Sequence, residues 1–261
     1  MLYIVATPIG NLSEMSFRAV EVLKSVDLIA AEDTRHSAKL LTHFEIKTKM
    51  VEYHKFNERV SAAGLISVLQ SGKDVALISD AGMPLVSDPG AILVEECIKH
   101  GIAVTAVSGA SACINALVLS GIGAAEFVMM GFLPDKQKDR QDKIRPYLLV
   151  PAALVFYSPP QSVQKDLDFL FKIFGARRVA LARELTKKFE EITRGVLGVD
   201  LGINLKGEFV IVVEGYGGSA EELNAQELVA EYISMGLSKM DAIKAAAKDK
   251  GVPKSEVYKL V

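Results

Sequence analysis

The chain has 261 residues, half of them apolar and 24% charged, with a formal net charge of −2. That length fits two α/β halves and a tail, and the composition is that of an ordinary soluble globular protein. No apolar run approaches the roughly 18–20 residues that span a bilayer, and two cysteines, Cys97 and Cys113, exclude a disulfide framework or a zinc cluster. Both cysteines sit in helix-like apolar patterns that read as core. The N-terminus, MLYIVATPIG, lacks a basic leader and reads as a first strand rather than a signal peptide. These features place the protein in the cytosol. Local charge is less bland than the total. Arg35 to Arg59 holds six Lys/Arg against three Glu. Further basic clusters lie at Lys136–Arg145, Arg177–Arg194 and Lys239–Lys259. Each is a solvated face, or they share one basic surface.

In chain order, Leu2–Ala6 is strand-like, and Phe17–Val26 is a helix with Phe17, Val20 and Leu23 or Lys24 at helical spacing. Asp27–Ala31 is a strand, and Thr34–Phe44 a helix capped by Asp33 or Thr34. Val60–Gln70 is helical and Asp74–Ser79 extended. Asp88-Pro89-Gly90 reads as a cap residue followed by Pro at the first helical position. Ala103–Val107 is a strand and Ser111–Leu119 a helix. This alternation predicts a largely parallel sheet covered by helices, ending near Gly121-Ile-Gly123. Residues 1–120 form a first domain on this reading. In 121–215, Phe127–Gly131 and Ala152–Tyr157 are strands around a charged helix, Lys136–Leu149, and Ser162–Phe174 is helical. Arg178–Ala182, Glu191–Leu197 and Glu208–Val213 have short connections and so pair antiparallel, in a mixed α+β domain. Gly215–Ser219 is a flexible linker. Residues 219–261 form a small helical tail whose Ser238–Val261 stretch has a helix-turn-helix-like outline. It is a packing module or an RNA contact.

Four strand-end loops are rich in Gly, Pro and small polar residues: Thr7–Asn11, Ser79–Gly90, Ser108–Ala112 and Lys206–Glu208. Ligands bind outside the carboxyl ends of strands in open α/β sheets, and small residues let them approach the backbone. No G-x-G-x-x-G or P-loop pattern is present.

The blocks ATPIGNL (Ala6–Leu12), AAEDTRHSAKLL (Ala30–Leu41), Tyr53-His54…Asn57-Glu58, ISDAGMPLVSDPG (Ile78–Gly90), GFLP (Gly131–Pro134), ARELTKKFEEITRG (Ala182–Gly195) and KGEFVIVVEG (Lys206–Gly215) carry a resemblance. Over residues 1–215 the chain resembles the ribosomal RNA small subunit methyltransferase I family, within the tetrapyrrole methylase-like superfamily. The resemblance implies two α/β domains flanking a cofactor cleft, a homodimer, S-adenosyl-L-methionine as cofactor, and a bacterial, cytoplasmic enzyme. The implied reaction is methylation of the ribose 2′-hydroxyl of a cytidine in the decoding centre of 16S rRNA in the small ribosomal subunit. It places the cofactor loop at Ser79, Asp80, Ala81, Gly82, Met83 and Pro84, with Ala112 and Cys113 after a strand-helix turn and Tyr157 near the adenosine. The family's usual Pro-Gly-Pro is Ser108-Gly109-Ala110 here, and its Glu-Ser-Pro-His-Arg-like run is Ser158–Ser162.

A methyl group leaves a sulfonium without protonating the leaving group, so alignment supplies most of the rate. A base or cation at the ribose oxygen helps further. Lys187 and Glu184 fill those parts or pair with each other. Glu32, Asp33 and Arg35 end the second strand. Asp33 caps the helix or joins the site, and Arg35 suits a phosphate. Asp80 bonds the cofactor or its own loop. Asn11, Arg35, His36, Lys39, His54 and Arg59 are the candidate RNA-facing residues, while Tyr53 and Phe56 stack on a base or pack in the core. Asp80 and Asp88 read as turn formers, so no metal is expected. The competing readings are a tetrapyrrole-type small-molecule methylase and a non-enzymatic RNA-binding protein.

Overall fold

The short central strands of the first sheet are stabilised by burial on both faces, whereas its edge strands are partly exposed. In the computed structural model, which describes residues 1–55, 57–123, 125–218 and 223–261, β1 (Leu2–Val5), β2 (Leu28–Ala31), β3 (Met50–Glu52), β4 (Val75–Ile78) and β5 (Val104–Val107) form a wholly parallel sheet, in the order β3-β2-β4-β1-β5. Phe56, the Ser219 end of the linker, and Glu221 and Glu222 lie outside the described residues. The side-chain alternation of a strand sends Val5 into one core, with helices α1 (Phe17–Ser25) and α2 (Thr34–His43). It sends Leu2 and Ile4 into another, with α3 (Glu58–Gln70) and α4 (Ala91–Lys99). Cys97 packs in the second core. Helix α5 (Ala112–Ser120) follows β5.

Three local expectations shift. The buried face of α1 is Ala19, Val22 and Leu23, continued by Val26, whereas Phe17 is 90% exposed. The i, i+3, i+4, i+7 set starts two residues later than the sequence pattern suggested. Helix α4 begins at Ala91 with Gly90 as its cap, so Asp88 and Pro89 belong to the preceding loop. The Glu58 carboxylate accepts the Gly90 N–H at 2.8 Å and fixes that boundary. The charged helix after Lys136 is α6 (Gln137–Ile144), succeeded by a 3-10 turn over Arg145–Tyr147. Pro146 lacks the N–H that an uninterrupted helix needs.

Residues Met1–Asn115 and Leu185–Lys188 cluster as one unit, and Ala116–Glu184 with Phe189–Val261 as a second. The second unit has the sheet order β6-β7-β10-β8-β9, from β6 (Phe127–Phe132), β7 (Ala153–Ser158), β8 (Arg178–Arg183), β9 (Glu191–Val196) and β10 (Phe209–Val213). Strands β6 and β7 are parallel and the other pairs antiparallel. Strand β10 enters between β7 and β8 instead of beside β9. Its five residues are all buried, which suits a central position, while the mixed polar β9 takes the edge. Helix α7 (Val163–Phe174) covers the sheet with Leu167, Phe169, Leu170, Ile173 and Phe174. Terminal helices α8 (Ala225–Ser234), α9 (Lys239–Asp249) and α10 (Lys254–Leu260) join the same core through Leu228, Tyr232, Ile243, Ala246 and Val257. Asn224 and Glu227 form a reciprocal capping box on α8, and Ser238 caps α9.

Candidate active site

In the first unit the order β2-β4-β1-β5 puts the loops after β1 and β4 side by side. Backbone hydrogen bonds tie them together: Thr7 N–H to Gly82 O at 2.9 Å, and Gly82 N–H to Thr7 O at 3.0 Å. The Thr7 hydroxyl donates to Ser79 O at 3.1 Å. Gly82 has φ +81, and a side chain there would press on Ile9 at 3.3 Å. A methyl group on Gly109 would lie 2.8 Å from Ala6 Cβ, so the loop after β5 packs closely on Ala6 at the end of β1. The three loops form a cradle made largely of small residues. Ser79, Gly82 and Pro84 are buried, Met83 packs against the core, and Asp80 and Ala81 are exposed. Ala112 and Cys113 open α5 beside it, Cys113 buried and its thiol pushed up by that burial.

Three carboxylates gather at the ends of β2 and β4. Burial, then the Asp80 charge, pushes the Glu32 carboxyl up, with partial relief from the Asp80 N–H and His54. Burial, then Glu32, raises Asp88 to about 6. Asp80 accepts the Asp33 N–H at 3.3 Å. Asp33 caps α2, accepting from Arg35 N at 2.8 Å and His36 N at 3.3 Å, and holds the Arg35 guanidinium at 3.4 Å. Arg35, His36 and Lys39 share one exposed face of α2. His54 lies 3.8 Å from Glu52, its N–H donating to Asn57, and Asn11 caps its own turn by accepting from Ser13. Arg59 lines a groove between α3 and α4 with Gln70, Ile92 and Lys99. Tyr53 is core: its ring is fully buried and its hydroxyl donates to Glu58, the carboxylate that also holds Gly90.

The Leu185–Lys188 segment clusters with this unit. The aliphatic stem of Lys187 lies against Gly10, so close that a methyl group there would sit 2.6 Å from its Cγ. In the second unit Glu184, at φ +50, accepts the Glu208 N–H at 2.9 Å and closes the strand end at Gly207. Tyr157 is half-buried, tilted against Phe132 with ring centroids 5.4 Å apart. Beneath them Arg140 and Asp166, both buried, pair at 2.9 Å. Arg140 also donates to Pro134 O at 2.6 Å, and Ser158 donates to Asp166 at 2.5 Å.

Residues 1–200 match the family described as tetrapyrrole (corrin/porphyrin) methylases. The chain belongs to the tetrapyrrole methylase family. Within this methylase family it is similar to proteins named ribosomal RNA small subunit methyltransferase I. That of Halalkalibacterium halodurans is 44% identical, over 99% of this chain and 93% of that one. That of Bacillus subtilis is 43% identical over 99% and 92%, and that of Escherichia coli O157:H7 41% over 99% and 93%. Solved methylases share the fold: diphthine synthase with TM-score 0.63 at 15% identity, covering 82% of this chain and 89% of that one. A uroporphyrin-III C-methyltransferase of Thermus thermophilus, complexed with S-adenyl homocysteine, has TM-score 0.56 at 17% identity and covers 82% and 96%.

Sequence reasoning passed over four features of this methylase. Asp88 read as a turn former, yet it is a half-buried acid beside Glu32. Glu58 was visible only as part of the Tyr53-His54…Asn57-Glu58 block. Arg140 lay inside a charged stretch that signals a solvated helix, and nothing in the spacing marks Asp166 as its partner. Phe132 was one letter of GFLP, with no signal that its ring stays exposed.

Proposed function

We propose that this methylase transfers a methyl group from S-adenosylmethionine to the ribose 2′-hydroxyl of a cytidine in the decoding centre of 16S rRNA, acting in the bacterial cytoplasm as a homodimer. The observation that carries this reading is the near-full-length identity to the ribosomal RNA small subunit methyltransferase I proteins. The solved small-molecule methylases are 14–21% identical and speak for the fold alone. Among the described residues no helix is long and apolar enough to cross a membrane. The exposed Thr105 and Ala106 on the edge strand β5 support pairing with a second copy.

The cradle fits the cofactor. Its walls are largely small residues, and glycine at 82 and 109 lets the loops pack on Ile9 and Ala6, an arrangement that suits a ligand met largely through main-chain groups. Ser79, Asp80, Ala81, Gly82, Met83 and Pro84 would hold it, with Ala112 and Cys113 at the mouth of α5. When bound, S-adenosylmethionine supplies a sulfonium-activated methyl group. The protein's part is alignment, worth roughly 7–11 kcal/mol in favourable cases, and charge placement. Arg35, exposed with His36 and Lys39, engages the RNA backbone, joined by Asn11, His54 and Arg59. Lys187, its stem seated on Gly10, presents a cation to the ribose oxygen as negative charge develops. Glu32 and Glu184 are the candidate carboxylates for the proton.

The test is methylation of small ribosomal subunits with labelled cofactor, followed by nuclease mapping and mass spectrometry. Label on a cytidine ribose supports the reading. Label on a base, or transfer to a macrocycle in its place, refutes it. Sedimentation of the purified protein tests the dimer.

A further inference from the structure

Phe132, the last residue of β6, is 52% exposed beside a half-buried partner, Tyr157. An isolated exposed Phe needs no explanation. This one is held in place by several independent features. The β6–β7 register shifts between Met129 and Gly131, and Gly131 sits at φ +64. Such a bulge re-aims the side chain that follows it. Phe132 then falls directly opposite Tyr157 in the parallel register, the two rings 58° apart. Lys143 reaches back to donate to Phe132 O at 2.7 Å. The buried Arg140–Asp166 pair clamps both strand ends, through Pro134 O two residues after Phe132 and through Ser158 next to Tyr157. A fully buried ion pair is an expensive way to hold a loop, and here it holds one whose aromatic face is left to solvent. Lys136 and Lys138, flanked by Asp135 and Asp139, are exposed where α6 begins, just beyond Pro134.

From this geometry we infer that Phe132 is a stacking platform for an unpaired nucleobase of the RNA substrate. The inference rests on the functional reading above and extends it by a binding residue. Single-stranded RNA is recognised by stacking exposed bases on aromatic rings, with cations beside the backbone. The bulge gives Phe132 the exposed face and the clamp gives it rigidity.

The experiment compares wild type, Phe132→Leu and Phe132→Tyr in the full-length protein. Steady-state methylation of small ribosomal subunits gives KM and kcat, and calorimetry gives affinity for S-adenosyl homocysteine. Phe132→Leu should raise KM for subunits on the order of tenfold, while cofactor affinity stays within about twofold. Phe132→Tyr should restore the wild-type KM, because it keeps the ring. Three indistinguishable proteins would overturn the inference. So would a loss of cofactor affinity with KM unmoved, which would hand the ring to the adenine. A wild-type enzyme inactive on subunits would instead bring down the functional reading itself.

Discussion

Asp88 offers a sharp test, because its environment penalises its own charge. Burial, with Glu32 alongside, lifts its carboxyl from an ordinary 3.8 to about 6 in the folded protein. That displacement is worth about 3 kcal/mol. The folded state binds the proton more tightly than the unfolded one, so the penalty is absent well below pH 3.8. It grows as pH rises from about 4 to 6 and is fully present above 6. Stability therefore falls as pH rises through that window. Asp88→Asn removes the ionisation while keeping a polar side chain of the same shape. Relative to wild type, it should gain about 2 kcal/mol more at pH 8 than at pH 4.5. Urea unfolding of the ligand-free protein at the two pH values measures this directly. An Asn variant that shifts stability equally at both pH values would refute the reasoning. One less stable than wild type at pH 8 would show that the charged carboxylate has a stabilising partner.

Gly82→Val should abolish cofactor binding in a calorimeter while the protein keeps its circular dichroism, since the side chain meets both a left-handed backbone and Ile9. Unaltered binding by a folded variant would move the site elsewhere. Arg35→Ala should weaken subunit binding and flatten its salt dependence by about one phosphate contact. Lys187→Ala should lower single-turnover rate with little change in cofactor affinity, and wild-type turnover would remove that lysine from the mechanism. Truncation after Gly218 should destabilise the second unit, because it strips Leu228, Tyr232, Ile243 and Val257 from that core and each such burial contributes about 1.5–3 kcal/mol. A truncated protein with an unchanged unfolding transition would show that the helices merely dock.

Much of this fold was legible because its strands alternate with helices whose apolar spacing is strong, as in α7. What escaped the sequence was decided by tertiary partners. Met50–Glu52 is too short to register as a strand until Ile29 and Ala31 pair with it. The start of α4 depends on a carboxylate 32 residues away in sequence. The insertion of β10 is a contest between strands, settled by which can be buried on both faces. In the site, the small-residue loops were plain because glycine and proline punctuate a chain visibly. Asp33 announced itself as a cap by position. Asp88 and Arg140 did not, because a charged letter gives no sign of being half-buried or buried until its surroundings are assembled.

The Arg140–Asp166 pair bears on how this protein can change over generations. Removing either partner alone leaves a buried, uncompensated charge, at about 3–5 kcal/mol, a large share of what holds a domain folded. Replacing both by well-fitting apolar residues is often neutral or better. The two positions are thus separated from their apolar alternative by a valley that no single substitution crosses cheaply. Among descendants of one ancestor they should change together or not at all, and the loop ends carrying Phe132 and Tyr157 should inherit that inertia.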